Sequence, residues 1–129
     1  VSQQRMKTYA ISASEQTDRL SVPEIFSSAK LTKVIDRWPQ GRKLLVCDET
    51  GNGKSMIETL SMKIFDNVSQ WAILIGPEGG FEKTEIEFLA NQNFVTLVSL
   101  GPRLLRADTA AIASLSCWQS VRGDWKRAS

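Results

Sequence analysis

The chain has 129 residues, 16 Lys and Arg against 14 Asp and Glu, and 42% hydrophobic content. This length predicts one domain, residues 1–129, able to bury roughly two thirds of the surface its unfolded chain exposes, and a formal charge of +2 excludes a generally basic nucleic-acid binder, so any RNA contact has to come from a local patch. With no histidine, a His-based triad, a zinc deaminase site and an H-E-x-x-H site are excluded within this chain, and no apolar run approaches the ~18 residues of a membrane span, nor is a secretory leader visible.

Val1 is not an initiator, and the chain reads as part of a longer one. Over residues 3–16, Met6, Tyr9, Ala10 and Ala13 recur at three and four residues, which predicts a helix with one apolar face. Arg19, just past its end, would complement the helix dipole. Pro23 disfavours helix at Val22 and predicts an extended link. A second helix is expected over residues 28–37, burying Ala29, Leu31, Val34, Ile35 and Trp38, and Pro39-Gln40-Gly41 ends it. Residues 42–49 (RKLLVCDE) read as a strand of a parallel sheet covered on both faces, because the apolar centre is continuous rather than alternating.

The next stretch, ETGNGKS, suggests a phosphate loop. The pattern G-x-x-x-x-G-K-[ST] requires glycine where Asp48 stands, so Thr50 to Gly53 read as turn residues. Leu60, Ile64 and Phe65 at helical spacing predict a short helix within residues 56–65. A buried strand over residues 71–75 then ends in Gly76-Pro77-Glu78-Gly79-Gly80. Phe81 is expected to pack down, residues 83–91 to form a charged helix with Ile86, Leu89 and Ala90 inward, and Asn93 to end it in a left-handed conformation. A strand over residues 95–100 ends in Gly101-Pro102-Arg103. Asp108 and Thr109 are candidate caps of a small-residue helix over 110–119. Cys47 and Cys117 sit in apolar segments and read as buried reduced thiols, which points to a cytoplasmic chain.

Strands alternate with helices, so the fold class is α/β with a mainly parallel sheet. Two apolar strands that each stop at glycine are the layout of a ligand site at the carboxyl edge of such a sheet. In the first loop glycine lets the backbone approach a ligand, while Pro77 removes a donor and Glu78 adds negative charge, so a neutral or cationic ligand suits it better than a polyphosphate. In the second, Arg103 and Arg106 lie three apart, as anion contacts or as a solvated basic turn. A nucleotide-binding α/β module and a non-catalytic RNA-binding module both remain open on these residues.

IGPEGGF, followed about twenty residues later by LGPRLLRADTAA, resembles the paired signature of the RsmE family, the ribosomal RNA uridine-N3 methyltransferases of the SPOUT class. RMKTYAISASEQTDR, residues 5–19, resembles the family's helix ending in A-E-Q-S-x-R, and similarity is weak only between about residues 27 and 70. Ser14, Glu82 and Asp108 depart from the usual Ala, Ser or Thr, and Glu. The resemblance implies a SPOUT methyltransferase domain with a carboxyl-terminal trefoil knot, a homodimer with Tyr9 and Ile112 as candidate contacts, and S-adenosylmethionine as cofactor without a metal. An amino-terminal RNA-binding β-barrel and the first part of the methyltransferase domain would lie outside this chain. It implies cofactor binding by Ile75, Gly76, Pro77, Glu78, Gly79, Gly80, Leu100, Gly101, Leu104 and Leu105. Arg106 and Arg19 become the candidate catalytic groups, Arg19 and Arg103 the candidate contacts to small-subunit (16S) ribosomal RNA.

Overall fold

The computed structural model describes residues 8–14, 24–48, 53–68, 70–76, 80–100 and 107–122. In chain order these form β1 (Thr8–Ser14), β2 (Glu24–Ser27), α1 (Ser28–Asp36), β3 (Arg42–Cys47), β4 (Lys54–Ser55), α2 (Met56–Leu60), a 3₁₀ turn (Lys63–Phe65), β5 (Gln70–Ile75), α3 (Lys83–Ala90), β6 (Val95–Ser99) and α4 (Ala107–Val121). One six-stranded sheet results, in the order β2-β1-β5-β3-β6-β4. The four strands β5, β3, β6 and β4 are parallel, and β1 and β2 add an antiparallel pair at one side.

The two central parallel strands, β3 and β5, have continuous apolar centres because both faces are covered. Alternate residues of a strand point to opposite faces, so Leu45, Trp71, Ile73, Ile75 and Val98 join Met56, Leu60, Ala110 and Trp118 in one buried layer under α2 and α4. Leu44, Val46, Ala72 and Leu74 face the other way and pack with Leu31 and Ile35 of α1 and Leu89 of α3. Phe81 joins that second layer, as its position after the glycine loop predicts. A three-layer α/β/α arrangement follows from this two-sided burial.

Local chemistry sets several boundaries. Ser55 Oγ accepts the Glu58 N–H at 3.1 Å and so starts α2. At the start of α3, Glu85 Oε1 accepts the Glu82 N–H at 2.7 Å, the return half of a capping box. Gly53 is required by its neighbours: a Cβ there would lie 2.8 Å from the Leu97 carbonyl carbon and 2.9 Å from Val98 N, and this close approach lets β4 pair with β6.

Arg122, at the end of α4, clasps the two helices of one layer together. Its Nε donates to Leu60 O at 2.8 Å, its Nη2 to Met62 O at 3.0 Å, and its Nη1 to the Asp66 carboxylate at 3.0 Å. The Asp66 side chain is 61% exposed, so water screens the ion pair and the two carbonyl bonds carry most of the effect. Arg122→Ala is expected to lower stability by about 2 kcal/mol, measured by urea denaturation; the shorter, point-charged side chain of Arg122→Lys should recover less than half.

Several expectations are corrected. The helix expected over residues 3–16 does not form over Thr8–Ser14, which is β1, paired antiparallel with β2 on one side and β5 on the other. Thr8, Tyr9 and Ile11 suit an extended chain, and two neighbouring strands satisfy its backbone, so sheet pairing overrides the helical spacing. Asp108 and Thr109 lie inside α4, which starts at Ala107, rather than capping it. Ala90 is exposed, and Ile64 is 72% exposed on the 3₁₀ turn. α3 is closed by Asn91 in the right-handed region (φ −82°), before Asn93 is reached. The sheet is mixed, with the antiparallel pair added to the expected parallel core.

Candidate active site

Strand order decides which loops meet. Both β5 and β6 lie beside β3 and run parallel to it, with Cys47 level with Ile75 on one side and Val98 on the other. Gly76 and Leu100 therefore leave the sheet at the same carboxyl edge, two strand spacings or about 10 Å apart. Leu100 is half-buried against the hydrophobic layer that contains Ile75. Such an edge, where connections leave in opposite directions, is the usual crevice of an open α/β sheet.

The described glycines of the first loop have distinct roles. Gly80 is buried with φ +82°, a conformation that L side chains avoid. A Cβ on Gly76 would meet the Phe81 ring at 2.9 to 3.2 Å, so glycine lets Phe81 fold back into the core. Ile75, Gly76, Gly80 and Leu100 are thus brought to one edge. Arg19, Pro77, Glu78, Gly79, Gly101, Arg103, Leu104, Leu105 and Arg106 lie outside the described residues. β1 ends at Ser14, opposite Trp71 at the amino end of β5.

Between the two loops stands the end of β3, which sequence reasoning treated only as a strand. Asp48 is buried (3% exposed) and its N–H donates to Val98 O at 2.9 Å, extending the ladder one residue past β3. Cys47 packs against the same layer as Leu100 and is hydrogen-bonded to Ser114, a fully buried residue of α4. Burial, opposed by that hydrogen bond, pushes the Cys47 thiol up to about 12, so at neutral pH it is uncharged and not a nucleophile. The only sequence signal for these residues was the apolar run ending in Cys-Asp. Their place between the loops depends on the order of the strands.

The small residues of α4 allow the helix to approach the sheet closely: Ala110 and Ser114 are buried on it. On the far side of β6, Lys54 and Ser55 pair level with Val98 and Ser99. Ser55 is occupied in capping α2, which agrees with the failed phosphate-loop pattern. Among the described residues no group of His, Cys, Asp or Glu is placed to hold a metal ion, and no helix is long and apolar enough to cross a membrane. The described rim consists of glycine backbone at Gly76 and Gly80 and the half-buried, apolar Leu100.

An RNA methyltransferase domain profile matches residues 1–119. The ribosomal RNA small subunit methyltransferase E of Rickettsia conorii is 31% identical over 113 residues, which cover 88% of this chain and 45% of that protein. Its namesake in Bacillus subtilis is 32% identical over 127 residues, 94% of this chain and 49% of the relative. A third, from Buchnera aphidicola, is 30% identical over 127 residues, 95% of this chain and 46% of the relative. The chain spans about half the length of the curated relatives it matches. Similarity over most of the chain bears out the resemblance carried by the two loop motifs, and the chain belongs to the RNA methyltransferase domain family.

Proposed function

We propose that this chain provides the cofactor-binding and methyl-transfer part of an enzyme that methylates N3 of a uridine in small-subunit ribosomal RNA, with S-adenosylmethionine as the methyl donor. The observation that carries the reading is the placement of Gly76 and Leu100 at one edge on either side of β3. On it, residues 76–80 and 100–105 bind the adenine and ribose through main-chain groups, with Ile75, Leu100, Leu104 and Leu105 as apolar walls. S-adenosylmethionine would supply an activated methyl group on a cationic sulfur, and Glu78 would favour that charge. A carboxyl-terminal trefoil knot, a cytoplasmic location and a homodimer that includes the 69% exposed Ile112 belong to the same proposal.

Uracil N3 carries a proton at neutral pH, so the site must favour its loss and align the nitrogen with the methyl group. On this reading Arg106 stabilises the developing anion, since a guanidinium is a fixed fork of donors. Arg19 and Arg103 position phosphate or base. Because N3 lies on the Watson–Crick edge, the target nucleotide must be unpaired or flipped out.

The test is calorimetric titration with S-adenosylmethionine, followed by transfer of labelled methyl to small-subunit RNA. Gly79→Val places a branched side chain in the main-chain cradle and is expected to abolish cofactor binding while leaving a folded protein. Wild-type affinity in that variant would refute the placement of the cofactor.

A further inference from the structure

At the amino ends of the parallel strands, opposite the candidate active site, lies an open groove of about 610 Å³, a size that admits a nucleotide-sized group. Trp38, Gln40, Arg42, Lys43, Asn93 and Phe94 are among its lining residues, and among the described residues no carboxylate lines it. Its aromatic wall is preformed: Trp38 and Phe94 stack with centroids 5.4 Å apart at 9°, and Trp38 Nε1 donates to Arg42 O at 2.7 Å.

Among the described residues neither cation has a carboxylate partner. Arg42 uses its main-chain N–H on Pro39 O at 3.3 Å, and its Nε is buried without an acceptor among the described residues. Lys43 lies over the Phe65 ring, 5.1 Å from the centroid, and burial moves its ammonium below the ordinary lysine value. Neighbouring strand residues point to opposite faces, so the two cations reach the groove from the two sides of the sheet end. Partly desolvated cations that no described carboxylate neutralises favour an anionic ligand.

We propose that this groove binds the phosphodiester backbone of the RNA substrate, as a second contact remote from the methyl-transfer edge; the identity of the ligand rests on the function proposed above. Arg42 and Lys43 supply the charge, and the amides of Gln40 and Asn93 supply neutral donors for phosphate oxygens. The six residues of β3 separate this end of the sheet from the other by about 20 Å, so one RNA strand spans both.

The experiment uses the full chain with single-stranded oligouridylate and a small-subunit RNA fragment as probes, and compares Lys43→Gln and Gln40→Glu with wild type. Gln40 is exposed in the turn before β3, so Gln40→Glu adds negative charge to the rim without disturbing the core, and a melting curve verifies that each variant folds. Affinity by fluorescence anisotropy is expected to fall roughly five- to tenfold at about 50 mM salt in each. The slope of log affinity against log salt should become shallower by about 0.7 in Lys43→Gln. S-adenosylmethionine affinity and the single-turnover rate at saturating RNA should stay at wild-type values. Folded variants with wild-type RNA affinity and salt slope overturn the proposal, including the outcome in which the groove instead seats a polypeptide segment. Groove-dependent RNA binding with no binding of S-adenosylmethionine would refute the proposed function and leave the groove standing. Methyl transfer with undiminished RNA affinity in both variants would do the reverse.

Discussion

Arg106→Ala is expected, on the proposed function, to slow single-turnover methyl transfer by about 10²–10³-fold, the usual cost of removing one donor aimed at a developing anion. The loss should fall on the chemical step. With S-adenosylmethionine and RNA both saturating, cofactor affinity stays near wild type while the rate drops. The deficit should shrink as pH rises into the range where uracil N3 loses its proton unaided, because the guanidinium then has less ionisation to favour. Arg106→Lys should recover only part of the rate, since an ammonium presents a point charge in place of a planar fork. If Arg106 serves instead as an ion-pair partner of Asp108 or Glu78, the rate will hold at every pH and only the melting temperature will fall. That pattern would refute the catalytic role.

Trp71→Ala is expected to cost about 3–5 kcal/mol of folding stability, against a total of order 5–15 kcal/mol for a single domain. Trp71 is 2% exposed on β5 and meets Phe65 edge-to-face, with centroids 5.6 Å apart at 71°. Alanine leaves a cavity walled by the sheet on one side and the 3₁₀ turn on another, and neither can collapse into it without giving up hydrogen bonds. For a chain of this size the melting temperature should fall by roughly 10–20 °C. Ile64→Ala is the control, because that side chain is 72% exposed and should change stability by no more than about 0.5 kcal/mol. A loss below about 1 kcal/mol for Trp71→Ala would mean that the layer under α2 and α4 is not the tight core described above.

Where both faces of an element are buried, or one face strongly so, its residues declared it. β3 and β5 have unbroken apolar centres over residues 44–47 and 71–75, and Leu31, Ile35 and Leu89 lie on the inward sides of α1 and α3 as their spacing predicts. The glycines after β5 were visible by identity alone, while what they do, room for the Phe81 ring at Gly76 and φ +82° at Gly80, is set by the fold. β1 was misread because Met6, Tyr9, Ala10 and Ala13 fit a helical period, and the spacing of a few small residues cannot register that the side of β5 needs a partner. β4 is two residues long, too short to carry any period.

From the amino-acid order alone came the α/β class, the two glycine-ended loops, the absence of histidine chemistry and the kinship carried by IGPEGGF and LGPRLLRADTAA. These depend on contacts between near neighbours in the chain, or on residue identity itself. Only the folded chain decided that β5 and β6 stand on either side of β3, that the end of β3 at Cys47 and Asp48 lies between the two loop starts, and that Arg42 and Lys43 face a groove at the opposite end of the sheet. Strand order and register are set by hydrogen bonds and packing between residues far apart in sequence. No window of neighbouring residues contains the partner that such a contact requires.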